Sequence, residues 1–130
     1  MLIVDSSVWI EILKDSEKGQ KAVEIIGGDP VFTAAISLAE ISHWCFRYSQ
    51  KTDEFLSLII LRTNDILQSN RVTEKRAGQL RFELNQNIAN NEKQVGLVDC
   101  LIMALAEESG LAILTTDKHF LKFSGRTVLL

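Results

Sequence analysis

Four acidic side chains stand where the chain changes from one local pattern to another: Asp5, Glu40, Asp99 and Asp117. Asp5 ends the apolar run Leu2-Ile3-Val4, and Glu40 follows Ser37 by three residues. Asp99 opens an almost wholly apolar stretch, and Asp117 follows Leu114-Thr115-Thr116. Carboxylates brought together repel one another unless a cation sits among them. A hard divalent ion with oxygen ligands, Mg2+ or Mn2+, is the natural solution. The chemistry that follows is phosphodiester hydrolysis by a metal-activated water. Each acid also has a purely structural reading. Asp5 and Asp117 suit turns, Ser37-x-x-Glu40 has the form of a capping box, and Asp99 could cap its helix or complement the helix dipole. Asp99, however, carries Ile102, Met103 and Ala106 on its own helical face. It therefore points along a buried face, where an unpartnered carboxylate is costly.

The elements that would position these acids can be read in order. Leu2-Ile3-Val4 predicts a buried strand ending on Asp5, with Ser6 or Ser7 capping a helix through Leu13. A second helix is expected from Gln20 to Ile26, stopped by Gly27-Gly28-Asp29-Pro30. Val31 to Ala34 reads as a strand leading into a helix that runs to about Tyr48, and another helix covers Thr52 to Leu61. Asp65-Ile66-Leu67 predicts an edge strand. Thr73 to Ala89 predicts a long amphipathic helix with Ala77, Leu80, Leu84 and Ile88 on its apolar stripe. A polar loop of Asn85-Gln86-Asn87 and Asn90 to Gln94 follows. Val98 to Glu108 is a buried helix closed by Gly110, and Leu111 to Leu114 is a strand. A short turn through Phe120-Leu121 precedes a last strand, Thr127 to Leu130. Strands alternating with helices imply an α/β fold, a three-layer α/β/α sandwich around a mostly parallel five-stranded sheet. In such a sheet, strand ends and helix starts share one edge, so the four acids converge there.

The totals set bounds. The 130 residues are expected to form a single domain spanning 1–130, with 46% hydrophobic and 24% charged residues. The formal net charge of −3 argues mildly against nucleic acid as a partner, but an acidic metal site inflates that count at the one place where cations neutralise it. No basic leader and no long apolar run occur, so a cytoplasmic protein without a membrane span is expected. Cys45 and Cys100 lack zinc spacing and read as reduced packing residues. Glu40-x-x-His43 resembles half of a di-iron pair but occurs once, so His43 reads as a helix-surface residue. His119 reads as a surface residue of the last turn. No GxxxxGK[ST], GxGxxG or GxSxG motif is present. A phosphatase with an aspartyl nucleophile wants a second Asp two residues after the first, where Ser7 stands. A receiver domain wants a phosphorylatable Asp at the end of a middle strand, where Ala34-Ala35 stand.

The chain resembles the PIN-domain proteins, and among them the VapC-type toxins of toxin–antitoxin modules. The resemblance rests on Val4-Asp5-Ser6-Ser7-Val8-Trp9-Ile10, Ser37-x-x-Glu40-Ile41, Asp99-x-x-Ile102-x-Ala104-x-Ala106 and Leu114-Thr115-x-Asp117-x-x-Phe120, in the family's order over nearly the whole chain. It implies a five-stranded parallel sheet, Mg2+- or Mn2+-dependent ribonuclease activity and a homodimer held shut by a small antitoxin protein. It also implies that Asp5, Glu40, Asp99 and Asp117 form the catalytic and metal site, with Ser6 and Thr115 as neighbouring hydroxyls. The family usually has Thr where Ser6 stands, a change that keeps the hydroxyl. RNA backbone contacts are expected from Arg47, Lys51, Lys75, Arg76, Lys118 and His119, although each also reads as solvated surface charge. Trp44, Phe46 and Tyr48 suit a dimer interface or an antitoxin groove. Two alternatives remain: a PIN-fold RNA-processing nuclease without antitoxin, and a non-catalytic interaction domain that uses its acids only as caps.

Overall fold

The structure is a computed structural model, and it describes residues 1–89 and 91–130. Asn90, in the polar loop expected there, lies outside the described residues. The elements run β1 (Leu2–Val4), α1 (Ser6–Leu13), α2 (Glu17–Ile26), β2 (Val31–Ala34), α3 (Ala35–Tyr48), α4 (Thr52–Arg62), β3 (Asp65–Leu67), α5 (Arg71–Leu84), α6 (Leu97–Ser109), β4 (Ala112–Thr115), a 3-10 turn (Lys118–Lys122) and β5 (Thr127–Leu129). The five strands form one sheet in the order β3-β2-β1-β4-β5. Every neighbouring pair is parallel, with Ile3 opposite Phe32 and Ile113, and Val4 opposite Leu114.

Side chains of β1 alternate between the two faces, as the pleat requires. Ile3 packs with Ala77, Leu80, Cys100, Met103 and Phe120, beneath α5, α6 and the 3-10 turn. Leu2 and Val4 join Val8, Trp9, Ala22, Ile41, Cys45 and Ile59, beneath α1 to α4. These two cores on opposite faces make the α/β/α layering. The two cysteines are free, buried and divided between the cores. No helix among the described residues is long and apolar enough to cross a membrane.

Three local expectations are corrected. Neither Ser6 nor Ser7 caps α1: Asp5 holds the N-cap position without a side-chain cap bond, because both hydroxyls point at carboxylates instead. Ser37 and Glu40 form no capping box. The chain passes from β2 into α3 without a loop, so Ala34 is the N-cap and Ser37 is already inside the first turn. The amphipathic helix runs Arg71–Leu84 rather than Thr73 to Ala89. Asn70 and Thr73 cap its start reciprocally. At its end Asn85 both donates to and accepts from the Val95 backbone, at 3.0 and 2.8 Å, which draws the chain out of the helix and leaves Ile88 beyond it.

Candidate metal centre

Parallel strands deliver their C-terminal ends to one edge, and there the chain enters α1 from β1 and α3 from β2. Asp5 stands directly between β1 and α1, Glu40 is in the second turn of α3, Asp99 is in the first turn of α6, and Asp117 follows β4. The four sequence-nominated acids are thus brought together from separate segments. Their mutual repulsion is legible in their ionisation. Burial, then the charges of Asp117, Asp5 and Glu40, push the Asp99 carboxyl up to about 6, and His119 opposes them. Burial raises Asp5 above its ordinary value as well, against hydrogen bonds from Ser7 and Thr115, with Asp117 adding to the rise. Burial also raises Glu40, opposed by its bond from Ser6, and the Asp5 charge adds to it.

Hydroxyls fix the most buried of these acids. The Thr115 hydroxyl donates to Asp5 Oδ2 at 2.9 Å and the Ser7 hydroxyl to the same oxygen at 2.7 Å. Each hydroxyl is itself oriented by a backbone donor. The Asp117 N–H reaches Thr115 Oγ1 at 3.0 Å, and the Thr116 N–H reaches Ser7 Oγ at 3.2 Å. Asp5 Oδ2 is therefore saturated and its orientation set. Ser6 donates to Glu40 Oε1 at 3.1 Å, tying α1 to α3. Among the described residues no hydrogen bond compensates the charge of Asp99. An acid that is half-buried, surrounded by three others and without a donor is what a cation would complete.

His119 belongs to this site, contrary to its reading as a surface residue. Its side chain is only 22% exposed, its Nδ1 lies 3.0 Å from Asp117 Oδ1, and its backbone N–H donates to the same oxygen at 2.9 Å. One donor atom each from Asp99, Asp117 and His119 lie within 4.8 Å of one another. Ser7 was also missed. Both sit two residues after an aspartate, in Asp-x-Ser and Asp-x-His, a spacing at which a turn brings a side chain back onto the carboxylate. That spacing is the signal that could have found them. The oxygen-rich donor set fits a divalent cation.

The basic residues are less concentrated. Arg76 is bound through two nitrogens to Glu107, at 2.8 and 3.1 Å. Glu107 is eight residues along α6 from Asp99, about 12 Å at the helical rise. Arg76 is thereby committed away from the cluster. Lys118 is exposed immediately beside Asp117. Arg47, Lys51 and Lys75 are exposed on other segments, and Arg47 lies over the Tyr48 ring at 5.2 Å.

Comparison with known proteins places this arrangement. No curated protein sequence matches the chain. Solved structures with the same fold include a toxin–antitoxin complex from Klebsiella pneumoniae, at 19% identity and a TM-score of 0.76 over 98% of this chain and 96% of that one. VapC20 of Mycobacterium tuberculosis, a Sarcin-Ricin loop cleaving toxin, is 18% identical with a TM-score of 0.75 and covers 100% of both chains. VapBC2 of Rickettsia felis, solved with a promoter DNA fragment, is 19% identical with a TM-score of 0.73 over 99% of this chain and 98% of that one. The PIN domain family model matches residues 2–125, a span that includes Asp5, Glu40, Asp99 and Asp117, and the chain belongs to the PIN-domain family.

Proposed function

We propose that this protein is a divalent-metal-dependent endoribonuclease and the toxin of a toxin–antitoxin pair. The observation that carries this reading is the convergence of Asp5, Glu40, Asp99 and Asp117 at one sheet edge, with no hydrogen bond to Asp99 among the described residues. Asp5 and Asp99 would hold the ion most directly, with Glu40 and Asp117 binding directly or through water. When bound, Mg2+ or Mn2+ lowers the pKa of a water and offsets charge building on the phosphate oxygens.

The chain's own residues prepare that chemistry. Thr115 and Ser7 hold Oδ2 of Asp5, which fixes that carboxylate at the sheet edge. Ser6 holds Glu40 in the same way. Lys118, exposed next to Asp117, is the basic residue best placed for a phosphate of the RNA backbone. Arg47 and Lys75 would contact RNA only further from the centre. The structural likeness to proteins solved as toxin–antitoxin complexes, and to one that cleaves an RNA loop, supports the same reading.

Partners follow from the surface. Phe46 and Tyr48 on α3 are 71% and 63% exposed, and Leu58 and Leu61 on α4 are 55% and 82% exposed. Apolar side chains in such numbers on two consecutive helices suit a homodimer contact and an antitoxin segment. Free, buried cysteines suit a reducing cytoplasm. Asp99→Asn should remove RNA cleavage while circular dichroism reports an unchanged fold. A folded Asp99→Asn protein with wild-type cleavage would overturn the assignment.

A further inference from the structure

Among the described residues, one nitrogen donor, His119, joins the metal-ligand group with Asp99 and Asp117. His119 is near the start of the 3-10 turn Lys118–Lys122, for which Asp117 is the N-cap. On one side its backbone N–H is bound to Asp117 Oδ1. On the other, Phe120 is fully buried and its carbonyl accepts from the Thr127 hydroxyl at 2.9 Å. The backbone at His119 is therefore held from both directions, and the ring meets Asp117 Oδ1 through Nδ1 at 3.0 Å.

Donor spacing makes the ring more than a neighbour. Adjacent ligands of an octahedral ion with bonds of about 2.1 Å lie about 3.0 Å apart, and opposite ligands about 4.2 Å apart. His119 Nδ1 and Asp117 Oδ1 are 3.0 Å apart, the spacing of adjacent ligands, and Asp99 brings a third donor atom into the same group. We propose that a ring nitrogen of His119 binds the same ion as Asp99 and Asp117, and that this nitrogen makes the centre prefer a divalent transition ion, with Mn2+ as its probe, over Mg2+. The inference rests on the metal-dependent reading above. Its chemical basis is the nitrogen donor: imidazole suits the divalent transition ions, whose affinity rises from Mn2+ through Fe2+ and Co2+ to Ni2+, whereas Mg2+ takes carboxylates, carbonyls and water. Mn2+, the weakest of that series and itself at home among carboxylates, serves as the probe because its resonance reports a bound nitrogen. The competing arrangement has the same distances. In it Nδ1–H donates to Asp117, and the histidine positions that acid from outside the ion's shell.

Pulsed electron paramagnetic resonance of Mn2+ added to the wild-type protein separates the two, because it detects a directly bound 14N nucleus and needs no variant. Calorimetric dissociation constants for Mn2+ and Mg2+ on wild type, His119→Gln and Asp99→Asn complete the test. Expected are 14N modulation in wild type that is lost in His119→Gln, and Mn2+ bound roughly tenfold or more tightly than Mg2+. His119→Gln should weaken Mn2+ by roughly tenfold, a loss that a histidine positioned outside the ion's shell would also give, so the 14N signal decides between the two arrangements. If Mn2+ binds, is lost in Asp99→Asn, and yet shows no 14N modulation, the inference falls while the metal centre stands. If Mn2+ does not bind the wild type at all, both fall.

Discussion

Asp99 is the residue at which folding and function oppose each other. Its ordinary value is 3.8 and its folded value about 6. Between those values the folded protein holds a proton that the unfolded chain has released. Stability of the metal-free protein therefore falls as pH rises from about 4 through about 6. The raised carboxyls of Asp5 and Glu40 act with the same sign. Glu11, Glu92 and Glu107, lowered by their hydrogen-bond donors, act with the opposite sign. The difference between wild type and variant is thus the readout. In chelator, Asp99→Asn should melt higher than wild type at pH 7, and the gap should close toward pH 4. A constant gap would mean that Asp99 is not perturbed by its neighbours. Thr115 gives the converse case. Thr115→Val removes the donor to Asp5 and the acceptor for the Asp117 N–H, so urea unfolding should report a loss of about 1–3 kcal/mol. At this scale the acids were legible because an aspartate facing Ile102 and Met103 is anomalous on its own helix. Ser7 and His119 were less so: their spacing two residues after an aspartate is a signal, but only the built turn decides that each side chain folds back onto that carboxylate.

Elements are positioned by close approaches that the sequence states only as small residues. Gly19 in α2 lies against α1, and a Cβ there would sit 2.2 Å from the Glu11 carbonyl oxygen. Because that neighbour is backbone, it cannot move aside. Gly19→Ala should cost about 1–3 kcal/mol, read as a lower urea midpoint. Gly78 in α5 is the control, with nothing within 4 Å of its added Cβ. Gly78→Ala should stabilise by about 0.5–1 kcal/mol. Equal effects at the two positions would contradict the packing of α1 against α2. Helix and strand identities were readable from hydrophobic periodicity, and β3 is the polar edge strand that its flanks suggested. The errors fell where distant partners decide. The end of α5 is set by Asn85 pairing with Val95, and that contact has no local signature. Ser37 looked like a cap because Glu40 follows by three residues, but Glu40 is held by Ser6 from another segment.

For the molecule as a whole, all five strands run parallel, so their carboxyl ends meet at one edge and the acids meet there too. That consequence of topology is why four weak motifs, far apart in sequence, could be read as one centre. The surface consequence is less local: exposed Phe46, Tyr48, Leu58 and Leu61 predict self-association, and sedimentation at rising concentration should give a dimer rather than a monomer. The central claim is that the acids form one cation site, and thermal unfolding with and without millimolar Mn2+, on wild type and Asp99→Asn, tests it most directly. At about 100 times its dissociation constant the ion should stabilise the fold by about 2.7 kcal/mol. For a chain of this size that is a rise of about 10 °C. The expected result is a rise in wild type that is absent from Asp99→Asn. No rise in wild type, or an equal rise in both proteins, would contradict a metal centre built on Asp99.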